Sequence, residues 1–101
     1  MSRVTFRSQY ASEARNLVFD FSSQLAIGET ISSASVSAAV YSGATGSTLT
    51  LGTDSTSGSQ VTCLASAGTE GVTYAVTCEA VTSLGQTVSL TGYVAIIPET
   101  V

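Results

Sequence analysis

The stretch SAGTEGVTYAVTCEAVTSLGQTVSLTGYVAI, residues 66–96, alternates its side chains with a period of two and breaks that alternation at Gly68–Gly71 and Gly85. Runs of this kind around a glycine able to take positive φ read as antiparallel strands joined by a tight turn. Parity then sorts the faces. Tyr74, Val76, Cys78 and Ala80 share one side; Ala75, Thr77, Glu79 and Val81 share the other. An unpaired carboxylate is too costly to bury, so the Tyr74 set faces the core and the Glu79 set faces out. On the last strand Val88, Leu90, Gly92, Val94 and Ile96 form the core row, leaving Ser89, Thr91, Tyr93 and Ala95 outside. Tyr74, just inside a strand after a glycine turn, stands where β-sandwiches place a tyrosine corner.

The rest of the chain carries the same punctuation. NLVFDFSS is a strand in which Leu17, Phe19 and Phe21 alternate with Val18 and Asp20; SQLAIGET is a turn closed by Gly28; ISSASVSAAVYSG resumes the alternation. GATGSTLTLGTDSTSGSQ holds one short strand between glycine- and hydroxyl-rich loops, and QVTCLASAG is a further strand. In that strand Leu64 is the larger apolar residue, so it is expected in the core and Cys63 outside. The predicted fold is all-β, a sandwich of about seven strands over residues 16–101. Residues 1–15, MSRVTFRSQYASEAR, lack clear alternation; they read either as a frayed terminus or, the reading adopted, as an N-terminal arm ordering on a neighbouring subunit. Its candidate partner-binding residues are Arg3, Phe6, Arg7, Tyr10 and Arg15, the aromatics serving as anchors.

Composition narrows the function. Charged residues make up 10% of the 101 residues, with 17 serines and 15 threonines in their place, against about 25% charged in ordinary soluble domains. All three basic residues lie within the arm, and from Asn16 onward there are six acids and no base. Such a body cannot neutralise phosphates, so no nucleic-acid partner is expected. With no histidine there is no Ser–His or Cys–His pair and no histidine zinc site. The two cysteines lack CxxC spacing, the acids are scattered, and Asp54 has no companions for a calcium loop. No enzyme activity, catalytic residue, metal or cofactor is expected. No apolar h-region opens the chain and no run approaches the roughly 20 residues that cross a bilayer, so the expectation is synthesis in a cytoplasm, with no membrane partner and reduced thiols. Cys78 reads as a small buried hydrophobe and Cys63 as facing away from it, without a disulfide.

Three segments taken in order resemble a known group. FDFSSQLAIGETISSASVS, then SAGTEGVTYAV, then VTSLGQT are similar to the small immunoglobulin-like structural proteins of tailed bacteriophages, over about residues 17–96. The resemblance implies an Ig-like sandwich and a virion component, with Phe19, Leu25, Ile31, Tyr74 and Val76 in the core and Gly28, Gly71 and Gly85 at turns. Phe21 stands where tryptophan is more usual in that group, Cys63 and Leu64 near where a bulky aromatic is found, and the arm has no counterpart. The full expected core is Phe19, Leu25, Ile31, Leu64, Tyr74, Val76 and Cys78.

The expected role is a virion structural protein, made in the host cytoplasm. It would dock on phage capsid or head–tail proteins as a homo-oligomer or symmetric array. Head decoration or a minor capsid role is preferred over the neck or tail. The alternatives are a neck or tail component and a glycan-binding module using Tyr41 and Tyr93. Convergence of those two rings on one concave surface would favour the latter. Edge strands without lysine lack an ordinary guard against edge pairing, which also suits an assembly subunit.

Overall fold

The computed structural model describes residues 3–6, 9, 10, 12–43, 46 and 48–97. Among these residues nine strands follow in chain order: β1 Arg3–Thr5, β2 Gln9–Tyr10, β3 Ala14–Asp20, β4 Ile31–Ser42, β5 Thr50–Leu51, β6 Ser55–Ser57, β7 Gln60–Ser66, β8 Thr73–Thr82 and β9 Thr87–Ile97. A 3-10 turn, Ser22–Gln24, follows β3. The strands form two sheets. One runs β1–β9–β8–β4, with β2 also on β9; the other runs β3–β7–β5, with β6 also on β7.

Each pairing has a local cause. Gly85 at φ +79° turns β8 into β9, with Thr82 N–H donating to Gln86 O at 2.8 Å. Gly58 at φ +60° does the same for β6 and β7. Between the sheets lie Leu17, Phe19 and Phe21 of the β3 segment, Val61 and Ala65 of β7, Tyr74, Val76, Cys78 and Ala80 of β8, and Leu90, Val94 and Ile96 of β9, all at most 3% exposed. Ile31 is buried beside them and Leu25 packs half-buried against the cluster. Tyr74 is fully enclosed, yet its hydroxyl is satisfied: it accepts from Thr69 N–H at 2.9 Å and donates to Thr48 O at 3.4 Å.

On β7 the structure reverses the expected faces. Leu64 is 40% exposed and Cys63 only 1%. The pairing with β3 sets this, because Leu17 stands opposite Cys63 and Phe19 opposite Val61, and residues opposite one another share a face. Val61, Cys63 and Ala65 form an unbroken apolar row, whereas Leu64 sits between Thr62 and Ser66. The row outweighs the single large side chain. Both cysteines are therefore buried and free. Burial pushes the Cys78 thiol up to about 12, with Asp54 adding to the shift, and raises Cys63 for the same reasons. We expect neither thiol to react with a thiol reagent in the native state and two equivalents to react after denaturation, read by absorbance titration.

Several residues of the expected arm pair within the sheets. Ala14 and Arg15 already belong to β3, and β1 and β2 lie parallel on β9, Arg3 opposite Thr91 and Tyr10 opposite Ile97. β8 occupies only one side of β9, and the upstream segment supplies partners for the groups on the other side.

The LAIGET turn is held by a carboxylate. Glu29, only 7% exposed, accepts from Ala26 N–H at 2.8 Å, while Thr30 and Ser83 exchange Thr30 N–H to Ser83 Oγ and Ser83 N–H to Thr30 O. The Thr82 hydroxyl and then the Ala26 amide hold the Glu29 carboxyl below its ordinary 4.5. A carboxyl lowered by folding stabilises the fold above its unfolded value and loses that contribution as pH falls through the folded one. Glu29→Gln is therefore expected to melt lower than the parent at neutral pH, with the gap closing below 4.5; Tm measured against pH checks this.

Candidate docking face

The longest strands, β4, β8 and β9, lie side by side and carry one charged residue between them, Glu79. Alternation sends their apolar side chains inward and leaves an outer face of serine, threonine and alanine. Across it Ser35 stands beside Glu79 and Ser89, Ser37 beside Thr77 and Thr91, and Ala39 beside Ala75 and Tyr93. The Thr77 and Thr91 hydroxyls are 3.1 Å apart and hydrogen-bonded. Toward one end a depression of about 350 Å³ is lined by Ser33, Ala34, Ser35, Glu79, Val81 and Thr87. At the other end Tyr41 and Tyr93 meet, their ring centroids 4.6 Å apart and tilted by 56°. Ala75 lies between their strands and is small enough to let them touch.

This face can do little acid–base or electrostatic chemistry. It has no base, one exposed acid and many hydroxyls, which suits a surface covered by another uncharged surface. The tyrosines do converge, but in contact with each other: at 4.6 Å no sugar ring passes between them. Among the described residues no group of three or more His, Cys, Asp or Glu is placed to hold a metal. No helix among them is long and apolar enough to cross a membrane.

Of the residues assigned to the arm, Phe6 and Arg15 line a common depression with Gln9 and Leu17, and Tyr10 does not line it. Phe6 turns into its own domain, edge-on to Phe19 with centroids 5.2 Å apart, and its ring fills the space above Gly92. A Cβ on Gly92 would overlap that ring. Arg15 pairs with Glu13 at 2.9 Å, and Tyr10 is 37% exposed at the margin of β2. Arg3 stands in β1, and Arg7 lies outside the described residues. Sequence reasoning missed Gln9, 1% exposed, whose amide donates to Glu13 O at 3.3 Å and Ala65 O at 3.2 Å, so that β2 is tied to the opposite sheet.

A family model described as "Podophage GP4 fiber-tail adaptor protein gp77" matches residues 9–95. The chain belongs to that family. It is thus a structural protein of a phage particle. The match begins within the segment read as an arm, in keeping with the pairing of β2 on β9. It lends nothing to the expected preference for head decoration, and favours the neck-or-tail alternative. No curated protein matches the chain.

Proposed function

We propose that this chain is a non-enzymatic tail component that joins tail and fibre proteins, docking through the low-charge outer face of β4, β8 and β9. The family match over residues 9–95 carries this reading. The chemistry of the face agrees with it: binding there can rest on shape and on burial of small side chains, with little charge to desolvate. We further read the two sheets as an immunoglobulin-like sandwich. In support, β3 and β5 flank β7, β4 and β9 flank β8, and β1 and β2 close β9 in parallel. The Tyr74 hydroxyl reaching back to the Thr69 amide has the geometry of a tyrosine corner.

Particles assembled without the chain test the role. The tail reading expects intact, DNA-filled heads that lack fibres, seen by electron microscopy. Fibred particles with weakened heads would return the protein to the shell. Thr91→Lys, central on the outer face, is expected to fold normally and to lower fibre occupancy.

A further inference from the structure

β4 is the outer strand of its sheet. β8 takes one side. On the other, past Ile31 N–H to Gly58 O at 2.9 Å, the described residues make no backbone hydrogen bond. The remaining free edges have ordinary protection against strand addition. β1, β2, β5 and β6 are two or three residues long, and β3 carries Arg15 and Asp20. β4 is twelve residues with no charge and no proline. Irregularities sit at its two ends, between Ile31 and Ser33 and between Val40 and Ser42, leaving a regular ladder from Ser33 to Val40.

The core is also less deeply covered along this strand. Ala34, Val36, Ala38 and Val40 point inward but are only half buried, whereas the β8 residues opposite them are fully enclosed. The second sheet does not fully cover β4, so an apolar margin runs beside a free backbone edge.

We infer that a second copy of this chain adds to this edge, antiparallel, joining two sheets into one about a two-fold axis at Ser37. The occupant must be uncharged, small on its outer side and apolar on its inner side, and β4 itself meets all three demands. With the axis at Ser37, Val36 faces Ala38 of the second copy and Val40 faces Ala34, each valine against an alanine. On the outer side Ser35 faces Ala39 and Ser37 faces its own copy. A charged strand from another protein finds no counter-charge along β4. The two Glu79 residues stand about 14 Å or more apart, three strand spacings, beyond the screening length at physiological salt. The inference does not depend on which tail proteins the chain joins.

Sedimentation of the full chain over a range of concentrations tests this. A monomer–dimer equilibrium is expected. Ser37→Lys, which sets like charges directly opposite across the axis, should weaken it by about fivefold or more. Val18→Lys, exposed on β3 of the other sheet, should leave it unchanged. A short bis-maleimide should link the Ser37→Cys variant into dimers and leave the parent unlinked, because Cys63 and Cys78 are buried. A chain monomeric at every concentration overturns the inference, as does a dimer indifferent to Ser37→Lys that Ser37→Cys cannot link. A monomer whose Ser37→Lys variant fails to enter particles would give the edge to a strand of another virion protein, and so also overturns it. Failure of the adaptor role is read separately, from fibre occupancy with Thr91→Lys.

Discussion

Replacing Tyr74 by alanine is expected to lower the unfolding free energy by about 3–5 kcal/mol, the range for a large buried aromatic. The ring is 0% exposed between the sheets, and its hydroxyl ties Thr69 and Thr48 to the strand beneath them. The loss therefore combines an empty cavity with two freed backbone groups. Tyr74→Phe separates the parts: it keeps the ring and should cost about 1 kcal/mol, the net worth of a hydrogen bond. Urea unfolding of the three proteins checks both figures. Should Tyr74→Ala fall within 1 kcal/mol of the parent, the ring is not a main support of the core.

The second large effect concerns Phe6 and Gly92. Phe6→Ala should cost about 2–3 kcal/mol, at the low end for an aromatic because Phe6 is only partly buried. Gly92→Ala should cost about 1–3 kcal/mol in the parent, since its Cβ has no place while the Phe6 ring is there. In the Phe6→Ala background the same glycine change meets open space, so most of its cost should vanish. The double-mutant cycle is thus expected to be strongly non-additive. Additive losses would mean that the ring does not occupy the space over Gly92. Hydrogen exchange of the β9 amides gives a second readout, because losing Phe6 should loosen β1 and expose them.

These two sites differ in how far the sequence reveals them. Tyr74 lies in a strand whose two faces are chemically distinct, with Glu79 fixing which is outside, so period-two parity was enough. On β7 no acid marks a face. There the size of Leu64 suggested one answer, while the row Val61, Cys63 and Ala65 decides the other. β1 and β2, three and two residues long, are too short to display alternation at all. They pair with a strand that lies at the far end of the chain. One signal was present: Gly92 occupies a core position of β9 where its neighbours are Leu90 and Val94. A missing side chain in a core row means that something from elsewhere fills the space, and here it is Phe6. The candidate face was legible as composition, since β4, β8 and β9 are visibly poor in charge. That β4 is the strand with an open edge depends on sheet order, which residue pattern does not encode.

The parallel seating of β1 and β2 on β9 has a mechanical consequence. Arg3 is level with Thr91 and Tyr10 with Ile97, so the chain enters and leaves this ladder at opposite ends. Tension drawn between those ends runs along the strands and across the hydrogen bonds. The bonds are then loaded together in shear, and none can open first and pass the strain to the next. In the adaptor role, a pull on a fibre transmitted through the two ends would meet a joint that holds as a block up to its breaking force, where an antiparallel hairpin pulled from its open end would unzip one rung at a time.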